Sequence, residues 1–138
     1  VPVHKFQIPA LMLGADLKPK TISSLASQID LAPTILSLMG ISAQTPLLGR
    51  DFSRDAESPG RALLQFDQYF ALLEQQSANE AAVTILKPDG SSVAARYLLN
   101  DKQLVLTDAA AEPAAQRRAL AQVLLPSWLY REKRYRDN

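Results

Sequence analysis

The stretch from residue 61 to 107 is cut by turn signals every few residues, and this limits what the chain can fold into. Short apolar segments at 62–66, 69–73, 82–86, 93–99 and 103–107 are too short for stable helices but right for strands. Val93, Ala95, Tyr97 and Leu99 fall on alternate positions, the period of a half-buried strand. Pro88-Asp89-Gly90 and Asn100-Asp101 are hairpin connections by composition. The expectation is an antiparallel sheet of about four strands. Residues 69–76 stay open between strand and helix, because FALLEQQ suits either state.

Helical signals flank this region. Residues 27–41 read SQIDLAPTILSLMGI, with Leu31, Ile35, Leu38 and Met39 on one apolar stripe. Pro33 suits a first turn, and Gly40 suits a left-handed close. The cap is either Asp30 or Ala32, since a residue before proline avoids helical geometry. Residues 111–125, AEPAAQRRALAQVLL, read as a helix opened by Pro113, with Leu120, Val123 and Leu124 as its apolar stripe. Pro126 is expected to interrupt it, and SWLYREKRY to add a turn or two.

Before the first helix, residues 6–13 (FQIPALML) form an apolar run ended by Gly14. This is the pattern of a strand buried on both faces, with Pro9 forcing an irregular start or an edge. Residues 15–24 read as loop. Residues 42–60 are turn-rich and charged, the natural boundary between two sub-regions.

Little here can do chemistry. The chain has no cysteine, which excludes disulfides, thiolate metal sites and a cysteine nucleophile. His4 is the single histidine, and nothing around it supplies a metal-ligand set. No nucleophile elbow, phosphate loop, HExxH or dinucleotide fingerprint is present. Asp51, Asp55 and Glu57 are too sparse in oxygen ligands for a calcium loop. Fifteen basic against fourteen acidic residues give a net charge of +1, which argues against a nucleic-acid partner. Arg117, Arg118, Arg131, Lys133, Arg134 and Arg136 make the end of the chain basic. A solvated helix face is the simplest reading, and contact with anionic lipid is the sharper one. Trp128 and Tyr130 read as packing residues of that helix. VPVHKFQIP at the start has neither a signal-peptide pattern nor an initiating Met, so a piece of a longer protein is expected.

Three segments together, IPALML at 8–13, DLAPTILSLMGI at 30–41 and GRDF at 49–52, resemble the C-terminal part of sulfatase-like proteins of the alkaline phosphatase superfamily. The nearest likeness is to the membrane-anchored branch of lipoteichoic-acid-synthase-like and phosphoglycerol-transferase-like proteins. LLPSWLYREKRY at 124–135 is similar to the tail of proteobacterial members. The resemblance implies an α/β fold, α+β as an isolated fragment. Residues 1–58 would end a mostly parallel sheet with its helix. Residues 59–138 would form a small antiparallel sheet and a C-terminal helix. It implies a parent enzyme with a threonine nucleophile beside a divalent metal, manganese in the lipoteichoic-acid type. That enzyme would act on a lipid headgroup, a phosphoester or a sulfate ester, from an inner-membrane anchor facing the periplasm or cell exterior. It places the nucleophile, its glutamate and an Asp-His pair upstream of residue 1. No catalytic, cofactor-binding or metal position falls in this chain, and its expected partner is the upstream catalytic portion of the same polypeptide. Thr34 is then a packing or first-turn residue and Asp30 a cap. The reading from a different class is an independent, non-enzymatic binding or scaffold module.

Overall fold

A computed structural model describes residues 1–14, 16–42, 45–55 and 58–135. The chain opens with a 3-10 turn over Val3–Phe6 and runs irregularly to a second turn at Gln28–Asp30, which leads directly into helix α1, Leu31–Leu38. Five strands follow: β1 (Arg61–Phe66), β2 (Tyr69–Gln75), β3 (Glu80–Leu86), β4 (Ser92–Leu98) and β5 (Gln103–Leu106). Helix α2, Pro113–Arg131, closes the described fold. The strands form one antiparallel meander in chain order. The fold is α+β.

Alternation sorts each strand onto two faces. Ala62 pairs Leu73, Leu73 pairs Val83, Val83 pairs Ala95, and Tyr97 pairs both Ala81 and Leu104. These side chains line one face and are covered by Val1, Val3 and Leu25. Phe6 reaches the same face and meets Phe66 edge to face at 6.5 Å. The opposite face carries Leu63, Phe70, Leu72 and Leu86, and α2 packs on it through Ala119, Leu120 and Val123. Ala119 is fully buried, and its small side chain lets the helix approach the sheet. Arg118 ties the same helix to β2, donating through Nε and Nη2 to the Glu74 carboxylate at 2.8 and 2.9 Å.

The turns explain the register. Gly90 takes φ +81°, and its N–H donates to the Lys87 carbonyl at 3.0 Å. The β1–β2 turn uses Asp67 at φ 56°, and the β4–β5 turn uses Lys102 at φ 53°. Aspartate tolerates this region because its short side chain bonds locally.

Four sequence expectations change. The sheet has five strands rather than about four, because residues 69–75 resolve as strand. Flanking strands on both sides saturate its backbone, and Leu72 and Leu73 point to opposite cores. Residues 7–14 are irregular instead of forming a buried strand. Leu11 and Leu13 are 82% and 85% exposed. Such a run needs neighbouring strands, and none of the described strands pairs with it. Helix α2 also runs unbroken through Pro126 to Arg131. Pro126 is exposed, so water can satisfy the Gln122 carbonyl that loses its donor. Finally, Leu124 faces solvent rather than the sheet, so Ala119 takes its expected place in the buried stripe.

Candidate functional site

Two features of residues 1–60 distinguish this region from a simple sheet-and-helix module. The first is a polar clasp built on Asp30, which is 1% exposed. Its Oδ2 accepts the Ser27 N–H at 2.8 Å, and its Oδ1 accepts the Arg50 backbone N–H at 2.7 Å. The Arg61 guanidinium at the start of β1 lies 3.5 Å from the same Oδ1 and donates to the Leu48 carbonyl at 3.2 Å. Thr34 completes the arrangement. Its hydroxyl donates to the Asp30 carbonyl at 2.7 Å and accepts the Phe52 N–H at 3.0 Å. Gly49 lies so close to the preceding turn that a Cβ there would sit 1.9 Å from the Ile29 carbonyl oxygen. Thus DLAPT and GRDF form one lock, joining α1, the 48–52 segment and the first strand.

Asp30 therefore does more than a helix cap. Its carboxylate makes no side-chain cap on α1 but reaches back to Ser27 and across to Arg50 and Arg61. Thr34 has the first-turn hydrogen bond expected of it, plus a long-range one to Phe52. Ser27, Arg50 and Arg61 were not evident as members of this group. Arg61 stands 31 residues from Asp30, and only the fold brings them together.

The second feature is that α1 is turned outward. Its buried residue is the polar Thr34, while Leu31, Ile35 and Leu38 are exposed, as is Met39 just beyond it. The stripe expected to pack on a sheet thus faces away from this chain's own core. Ile8, Leu11, Leu13 and Ile41 are exposed as well.

The other candidates are occupied or dispersed. His4 is exposed at the first turn. Asp51 bonds Ser53 through both its N–H and its hydroxyl and faces Arg54 at 3.6 Å. Slight burial pushes its carboxyl up, but bonds from Ser37 and Ser53 and the charge of Arg54 outweigh this and hold it below the usual range. Asp55 accepts from the Ser58 hydroxyl. Glu57 and Arg136 lie outside the described residues. Among the described residues, no three histidine, cysteine, aspartate or glutamate side chains converge to hold a metal ion. No helix among them is long and apolar enough to cross a membrane.

No protein-family model matches the chain. Among solved structures, the chain is similar to a protein in the alkaline phosphatase superfamily from Vibrio parahaemolyticus, with 31% identity and a TM-score of 0.83. The match covers 100% of this chain and 32% of that one, so this chain spans about a third of the neighbour's length. At that identity and overlap, the chain carries the fold of a fragment of an alkaline phosphatase superfamily protein.

Proposed function

We propose that this chain is the C-terminal portion of a metal-dependent, sulfatase-like phosphoglycerol transferase and performs no chemistry by itself. Full-length similarity to a third of a superfamily protein, combined with an α1 whose apolar stripe faces outward, carries this reading. The missing two-thirds would cover that stripe and the apolar run at 8–13. Residues 1–58 would complete the large domain, and residues 59–138 would form an appended sub-domain. In this proposal the Asp30 lock fixes the angle at which the two parts meet. The divalent metal, manganese, would sit on upstream residues, as the resemblance to the lipoteichoic-acid type implies. The parent would be anchored in the inner membrane, with this part facing the periplasm or cell exterior.

The test uses the full-length protein with manganese and phosphatidylglycerol. Release of diacylglycerol or glycerol phosphate, lost when the upstream threonine nucleophile becomes alanine, is the expected result. Turnover of an aryl sulfate with no action on phosphodiesters would overturn the phosphoglycerol assignment and leave the superfamily assignment standing.

A further inference from the structure

The end of α2 carries a surface that neither the sheet nor the proposed enzyme role uses. Leu124, Trp128 and Arg131 follow one another at spacings of four and three, so they share one helix face. Leu124 is 59% exposed and Trp128 is also exposed. The Arg134 guanidinium lies 5.3 Å from the centre of the Trp128 ring. Tyr130 lies nearly opposite Trp128 on the helix, where it stacks on Tyr135 at 5.5 Å and lines a recess with Pro46 and Leu48, so it is not part of this face. From 117 to 134 the sequence holds Arg117, Arg118, Arg131, Lys133 and Arg134 against one acid, Glu132. Glu74 engages Arg118, which leaves the positive charge concentrated at the aromatic end.

A helix dipole explains cations at a C-terminus. It does not explain why exposed leucine and tryptophan side chains stand among them. Amphipathic aromatics beside lysine and arginine match the boundary of a bilayer, where rings sit at headgroup depth and cations meet anionic lipid. We propose that the C-terminal end of α2, with Trp128 at its centre, seats this protein on an anionic lipid surface. The helix lies on the surface rather than crossing it. Arg131, Lys133 and Arg134 supply the attraction, and Leu124 and Trp128 supply the shallow apolar insertion. This contact requires no catalytic activity, so it stands or falls separately from the proposed enzyme.

Trp128 is the chain's single tryptophan, so its fluorescence reports on this patch alone. The 138-residue chain is titrated with vesicles of equal parts phosphatidylglycerol and phosphatidylcholine, and with phosphatidylcholine alone. The expected result is a blue shift and protection from an aqueous quencher with the anionic vesicles only, weakening as salt is raised. Arg131→Gln should weaken partitioning about fivefold, and the triple change at Arg131, Lys133 and Arg134 to Gln about a hundredfold. Met39→Glu, on the α1 face, should leave partitioning unchanged. Free glycerol phosphate should leave the emission unchanged. Equal binding to neutral vesicles, no binding to either, or insensitivity to the Gln variants would overturn the proposal. So would sedimentation with vesicles without a Trp128 shift, which would move lipid contact to another face such as α1.

Discussion

The backbone N–H of Arg50 donates to Oδ1 of Asp30 at 2.7 Å, across twenty residues of chain and into a carboxylate closed off from solvent. The Arg61 guanidinium converges on the same oxygen, so one aspartate holds a helix, a loop and a strand. Removing it strands two backbone N–H groups and a largely buried guanidinium. Asp30→Ala should therefore destabilise the protein by about 3–5 kcal/mol, the range for breaking one partner out of a buried pair. Asp30→Asn keeps an acceptor and should cost about 1–3 kcal/mol. Chemical denaturation measures both. If the alanine variant keeps its stability while the proposed parent enzyme loses turnover, Asp30 belongs to the reaction and not to the fold.

Gly49 and Gly90 should respond to alanine for different reasons. At Gly49 a Cβ collides with the Ile29 carbonyl and with Asp30 Cα, both backbone atoms that cannot step aside without opening the lock. Gly49→Ala should cost at least about 2 kcal/mol. At Gly90 the space is open and only φ +81° is unfavourable, so Gly90→Ala should cost about 1–2 kcal/mol. Thermal melts of the two variants, with near-equal losses, would count against the steric account of Gly49.

Tyr97 is 1% exposed, and its hydroxyl has no hydrogen-bond partner among the described residues. Tyr97→Phe should leave stability unchanged or raise it by up to about 1 kcal/mol. Burial pushes the phenol pKa above its ordinary 10.0. The neutral phenol's contribution is thus fully present below about pH 10 and is lost as pH rises through the higher folded value. Tyrosinate absorbance should show a late step above the ordinary phenol value, and that step should vanish in Tyr97→Phe.

Met39, at the exposed end of the outward stripe, tests whether a proposed upstream portion covers α1. In the 138-residue chain, Met39→Asp should change stability by no more than about 0.5 kcal/mol and should reduce self-association. In the proposed longer parent the same change would bury a charge at the proposed domain junction and should cost about 3 kcal/mol or more. Paired unfolding and sedimentation experiments on the two lengths decide this. Equal, small effects in both would mean that the upstream portion does not cover α1.

Local sequence was enough for β1, β3, β4 and β5, the Gly90 turn, the start of α2 at Pro113 and the short helix near residue 31, because period, turn chemistry and capping act over a few residues, whereas β2 stayed open between strand and helix. Local sequence could not show which way α1 faces. An apolar stripe states that something will cover it, not that the covering partner lies in the same chain. For the same reason the run at 8–13 looked like a buried strand, yet it remains irregular where no described strand pairs with it. The continuation of α2 through Pro126 depended on that proline facing solvent, a matter of docking and not of propensity. Likewise Asp30 looked like an ordinary cap from its neighbours. Its bonds to Arg50 and Arg61 span 20 and 31 residues, and only the tertiary fold brings those groups into range.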